Sequence, residues 1–149
     1  MSSLQWSESL ELGAGPMDAT HREFVALYNA LAQARPDAMA DALDAFVAHV
    51  EAHFGQENDW MAAVDFPDCH RAEHDRVLAV LRDVRRRVAR GDFFLARRLI
   101  AELPGWFEQH ARGMDATLAA HLLSIGFDFA TGRAPAGAPR GGCGCAGPV

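Results

Sequence analysis

A chain of 149 residues that is half apolar is long enough for one domain with a real core and too hydrophobic to be disordered. Its formal charge of -6, from 14 basic and 20 acidic residues, disfavours a nucleic-acid binder and gives no polybasic attraction to anionic lipid. No apolar run approaches the roughly 20 residues needed to span a bilayer, so no membrane partner is expected.

Residues 1–15 read as an irregular arm with an apolar anchor at Trp6. The first twelve residues carry two glutamates and no basic side chain, unlike a secretory leader, so a cytoplasmic location is expected. A first helix is predicted over 18–34, where Phe24, Leu27, Tyr28 and Leu31 recur at three- and four-residue steps. Pro36 breaks the chain, and Asp37 is read as the cap of a second helix running to residue 64. Residues 65–68 form a turn. A third helix follows over 69–90, with Val77, Leu78, Leu81, Val84 and Val88 inward. Its arginines Arg82, Arg85, Arg86, Arg87 and Arg90 read as a solvated face rather than a nucleic-acid patch. A fourth helical region spans 93–129, and Pro104-Gly105 is expected to kink or interrupt it. Residues 130–149, rich in Gly, Pro and Ala, read as a flexible tail carrying Cys143-Gly-Cys145. The expected fold is all-α, an antiparallel up-down-up-down four-helix bundle over residues 1–129.

The three cysteines, Cys69, Cys143 and Cys145, have no disulfide-framework spacing. Cys69 reads as a small buried residue. The Cys143/Cys145 pair reads as part of a low-complexity end, with too few thiols for a zinc site. No C-x-x-C-H run supports covalent haem, and no glycine-rich loop supports nucleotide binding.

The histidines carry the chemistry. His53 and Glu57 stand at i and i+4 on the second helix, and His70 and His74 stand at i and i+4 on the third. That spacing turns both side chains of each pair to one face, so both can reach one centre. His21 lies on the inner side of the first helix. His110 and Asp115 supply a histidine and a carboxylate on the fourth, but five residues apart, roughly 140° around an ideal helix. Both face inward only if the helix is locally widened, as in a π-bulge, with Gly113 easing the distortion. Burying so many polar groups without a metal would be costly. Imidazole and carboxylate suit iron, and imidazole also suits zinc. If two six-coordinate irons are held, five histidines, two bridging carboxylates and a bridging hydroxide leave a single vacancy. One vacancy suits one small diatomic ligand.

The run of Trp6, Asp18-Ala-Thr-His21, His53-Phe54-Gly-Gln-Glu57 with Met61, His70-x-x-x-His74 and Trp106-Phe107-Glu-Gln-His110 followed by Asp115 resembles the bacterial hemerythrin family over about residues 6–125. The resemblance implies a non-haem di-iron protein that binds dioxygen for storage, delivery or scavenging rather than an enzyme. It implies that His70, His74 and His110 hold one iron, that His21 and His53 hold the other, and that Glu57 and Asp115 bridge them. The second iron keeps the open position. Dioxygen is held there as hydroperoxide, with a bridging hydroxide or oxide between the two irons. A di-iron oxidase or peroxidase, a nitric-oxide-handling protein and an oxygen or iron sensor are the competing readings. The lack of a fused signalling domain weighs against the sensor.

Three residues depart from the family's pattern. Asn58 stands where relatives usually carry an acid and, not being a ligand, is assigned no role. His49 stands one turn before His53, where relatives often carry tyrosine, and is expected to be a hydrogen-bonded core or boundary residue rather than an eighth ligand or a partner of one. Phe107 stands where an aliphatic residue is common, and its ring is expected beside the open iron, slowing ligand access or favouring autoxidation. Trp106 and Phe107 together are expected to be both core and oxygen-pocket wall. His121, roughly 16 Å beyond His110 along the axis, is too far to share the centre.

Overall fold

The computed structural model describes residues 3–139. In chain order it contains a 3-10 turn at Glu8–Leu10, α1 (Gly15–Ala32), a second 3-10 turn at Pro36–Ala38, α2 (Met39–Ala63) and α3 (Cys69–Ala89). Then come α4 (Phe94–His110), a π-helical segment Ala111–Asp115 and α5 (Ala116–Ser124). Among the described residues there is no strand, and the β-pairing is one isolated bridge between Asp128 and Arg133. The run from α4 through α5 is a single uninterrupted helix in effect, so the chain is a four-helix bundle. α1 packs on α2 and α4, and α3 packs on α2 and α4, which closes the ring of antiparallel neighbours that short links require.

Two helix boundaries differ from expectation: Pro104-Gly105 does not interrupt the fourth helix, and Asp37 does not cap the second. Pro104 lies inside α4 without ending it. Proline cannot donate to the carbonyl four residues back, which here belongs to Ile100. The Tyr28 hydroxyl, from α1, donates to that carbonyl instead, so the freed acceptor is not left unpaired. Asp37 is not a cap: it sits within the Pro36–Ala38 turn and makes no side-chain capping bond.

The arm is tied down by polar contacts with α1. The Leu4 amide donates to Asn29 Oδ1 at 2.9 Å, and Asn29 Nδ2 returns a bond to the Leu4 carbonyl at 2.7 Å. The Asp18 carboxylate accepts from the Leu12 and Gly13 amides at 2.8 and 3.0 Å. Gly13 makes this tight approach with φ of +77°, a region open to glycine. Trp6 packs partly buried, with the Arg22 guanidinium 4.9 Å over its ring.

The core is divided by a polar layer. One apolar cluster holds Phe24, Val50, Phe54, Val77, Phe107 and Ala111 with their neighbours. A second holds Met17, Trp60, Met61, Leu118 and Leu122. On three of the helices the candidate ligands fall between residues of these two clusters: His21 between Met17 and Phe24, His53 and Glu57 between Val50 and Trp60, His110 and Asp115 between Phe107 and Leu118. The arginine-rich face of α3 is matched by acids. Arg82 and Arg85 approach Glu51 at 3.6 and 3.9 Å, and Arg86 and Arg87 approach Asp83 at 3.5 and 3.0 Å. No described helix is long and apolar enough to cross a membrane.

Candidate metal centre

All seven residues picked from the sequence are buried and converge. His53 and Glu57 come from consecutive turns of α2, and His70 and His74 from consecutive turns of α3. α1 supplies His21, and the end of α4 supplies His110. Asp115 reaches the same interior because the five residues between α4 and α5 wind as a π-helix. Gly113 lies within this segment, and a side chain there would meet nothing within 4 Å. The Thr117 hydroxyl donates to the Gly113 carbonyl at 2.9 Å, satisfying an acceptor in the widened turn.

The ligand atoms fall into two groups, each with its members within 4.8 Å of one another. His70, His74 and His110 form one with Glu57 and Asp115; His21 and His53 form the other with the same two carboxylates. The carboxylate oxygens are shared out between the groups. Glu57 Oε2 faces His53 Nε2 at 2.8 Å and His21 Nε2 at 3.6 Å. Its Oε1 faces His74 Nε2 at 3.4 Å and His70 Nε2 at 3.5 Å. Asp115 Oδ2 faces His21 Nε2 at 3.0 Å, while its Oδ1 faces His70 Nε2 at 2.9 Å and His110 Nε2 at 3.1 Å. Ligands that each sit about 2 Å from one ion lie about 3 to 4 Å from one another, so each group has the dimensions of a coordination shell.

The donor set fits a metal on a second count. Nε2 of His21, His70, His74 and His110, Glu57 Oε1 and both Asp115 oxygens are buried and lack a hydrogen-bond partner. Buried polar atoms are ordinarily paired, and these unpaired ones all belong to the two ligand groups. Electrostatics agrees. Burial opposes charge on His21, but Asp115 and Glu57 overcome it and raise its pKa to about 10. His70 is raised to about 9 in the same way. Burial also opposes ionisation of Glu57 and Asp115, yet the surrounding imidazoles hold both well below the usual carboxylate range. The interior is built to concentrate positive charge on two carboxylates.

Asn58 has a role that the sequence does not reveal. Its Oδ1 lies 2.9 Å from His74 Nδ1, across the α2–α3 interface. By accepting from Nδ1–H it selects the tautomer that turns the Nε2 lone pair inward. An acid at this position would accept in the same way, so the departure from the family's pattern keeps the acceptor and drops its charge.

Trp106 and Phe107 separate. Phe107 is fully buried, meets the His21 ring edge-on at 5.4 Å between centroids and stacks on Phe24 at 4.2 Å. Trp106 stacks on His110 at 4.6 Å and donates its indole N–H to Glu73 at 3.4 Å. Phe107 therefore walls the two-histidine group and Trp106 the three-histidine group. His49 belongs to neither group. It lies beside His53, with ring centroids 5.6 Å apart, and its Nδ1 is 3.6 Å from Glu23. Burial, followed by the His53 charge, lowers its pKa. His121 sits against Phe66, away from the site. Cys69, next to His70, is only half-buried, which corrects its reading as a small buried residue. Cys143 and Cys145 lie outside the described residues.

A four-helix bundle whose core carries two histidine groups sharing two carboxylates defines a class of protein, one that holds cations inside a helical bundle. A family model described as the Hemerythrin HHE cation binding domain matches residues 13–122. The chain is 52% identical over 130 residues to the Bacteriohemerythrin of Ralstonia nicotianae (strain ATCC BAA-1114 / GMI1000), covering 86% of this chain and 95% of that one. It is 26% identical over 142 residues to the Bacteriohemerythrin of Stenotrophomonas maltophilia (strain R551-3), covering 89% and 92%. The chain belongs to the hemerythrin family.

Proposed function

We propose that this protein binds dioxygen reversibly at a pair of iron ions, with His70, His74, His110, His21 and His53 as terminal ligands and Glu57 and Asp115 as bridges. The observation that carries the reading is the division of each carboxylate: one oxygen of Glu57 and one of Asp115 face each histidine group. A carboxylate serving one ion would turn both oxygens to it or leave one to a hydrogen-bond donor. The imbalance between the groups supports the place of the vacancy, since the His21/His53 group has one ligand fewer.

When bound, the irons supply the electrons that dioxygen takes up and returns. The chain supplies the surroundings. Phe107 and Phe24 close the two-histidine side with stacked rings and keep water from it. Asn58 holds His74 in one tautomer. Two anionic ligands among five imidazoles suit ferrous iron better than a carboxylate-rich set does, which favours a carrier over an oxidising enzyme. The names of the two relatives point the same way. The test is to reduce the iron-loaded protein without oxygen, admit air, and follow the visible spectrum through vacuum cycles. A charge-transfer band that comes and goes supports the carrier; one-way oxidation in the first cycle sinks it in favour of an enzyme or sensor.

A further inference from the structure

We propose that Glu23 and His49 form a loading port through which iron reaches and leaves the His21/His53 group. The inference rests on the two-iron reading above and adds a route to it. Glu23 is on the exposed face of α1, and its carboxylate lies 3.6 Å from His49 Nδ1 on α2. That separation is one that two ligands of a single ion can have, and carboxylate with imidazole is a donor pair for a divalent first-row metal. The His49 side chain is only 9% exposed, and its Nε2 is buried with no hydrogen-bond partner. A buried imidazole nitrogen left unpaired is costly unless something uses it at times. The His53 ring follows at 5.6 Å between centroids, and His21 lies 5.1 Å beyond that. Surface carboxylate, half-way imidazole and final ligands thus form one descending series between α1 and α2.

The other side of the centre has an acid of its own, but one already occupied. Glu73, beside Trp106 and His110, is bound by the Arg76 guanidinium and by the Trp106 indole N–H. The Trp106 ring lies flat on His110. The ion pair described for Glu23 is with His49 and with no arginine. Of Glu23 and Glu73, Glu23 is the one able to receive a cation.

The test uses the loaded, reduced protein and a ferrous chelator, with the coloured chelate followed in time and to completion. Loading and release share one path, so a port makes a distinctive prediction. Glu23→Gln and His49→Gln should each slow release on the order of tenfold, the scale of one lost charge-assisted contact, while the final yield stays at two irons per chain. If His49 only supports the fold around His53, the same variants loosen the site and release becomes faster, which overturns the proposal. Unchanged rates in both variants overturn it too. Glu102→Gln, an exposed acid paired with Arg98 on α4, should release at the wild-type rate. Equal slowing there would show that release senses overall charge and would also overturn the port. A wild-type yield below two irons defeats the two-iron reading itself, an outcome separate from any rate.

Discussion

Replacing Glu57 by alanine is the most direct challenge to a shared centre. Glu57 Oε2 approaches His53 and His21 at 2.8 and 3.6 Å, and Oε1 approaches His74 and His70 at 3.4 and 3.5 Å. One truncation therefore removes an anionic ligand atom from both groups. A charge-assisted contact contributes about 1.5–3 kcal/mol, so each group should lose on the order of 10- to 100-fold in affinity. The contrast is His53→Ala, which touches only the two-histidine group and leaves His70, His74, His110, Glu57 and Asp115 intact. Titrating ferrous iron anaerobically against a chelator of known affinity resolves the two binding steps. Glu57→Ala should weaken both, whereas His53→Ala should weaken one. If Glu57→Ala left one step at wild-type affinity, Glu57 would serve a single ion and the bridge would be wrong.

Asn58→Ala should lower iron affinity at the three-histidine group about 10- to 100-fold, the usual scale for removing an outer partner of a ligating histidine; Asn58→Asp should restore it, by the same chelator titration. Phe107→Ala empties a fully buried position and should cost about 3–5 kcal/mol, a drop of roughly 10 to 15 °C in thermal melts. Phe107→Leu should keep the fold and speed ligand access in stopped-flow mixing. Without metal, His21 and His70 titrate at about 10 and about 9 in the folded chain against 6.5 unfolded. Their contribution is complete below pH 6.5 and is lost as pH rises towards 10. Glu57 and Asp115 are depressed from 4.5 and 3.8, so their contribution is lost as pH falls below those values. Burial lowers His49 and His74, whose contribution is instead lost as pH falls below 6.5, so calorimetry of the metal-free protein should show maximal stability near pH 6.5 and a decline on the alkaline side. The loaded protein should lack that alkaline decline, because the cations replace the protons.

The helical period is what made the centre legible. His53 with Glu57, and His70 with His74, need nothing but 3.6 residues per turn to share a face. The five-residue step from His110 to Asp115 violated that period, and the violation itself pointed to the widened turn that the structure contains at Ala111–Asp115. What stayed hidden depends on partners distant in sequence. Pro104 reads as a breaker until Tyr28, on another helix, takes up the Ile100 carbonyl. Asn58 has no assignable role until α3 brings His74 to it. Trp106 and Phe107 could have been separated beforehand, because adjacent helical residues point roughly 100° apart and so face different histidine groups.

The polar layer also explains how this bundle can carry two buried carboxylates. In the metal-free chain each carboxylate has a raised histidine close at hand, Asp115 with His21 at 3.0 Å and with His70 at 2.9 Å, and Glu57 with the same two rings at 3.6 and 3.5 Å. Protons on His21 and His70 therefore stand where cations would otherwise sit, and they neutralise the same oxygens. Loading exchanges protons for metal without asking the helices to move, since the imidazole nitrogens and carboxylate oxygens already have the spacing of ligands on a common ion. The apolar cluster on one side of the layer draws on α1, α2, α3 and α4, and the one on the other side on α1, α2 and α5; together they hold that spacing in place. Metal affinity in this fold is thus set against proton affinity at two histidines, and the packing of Phe107 on His21, of Phe24 on His53 and of Phe54 on His74 decides how little water enters that contest.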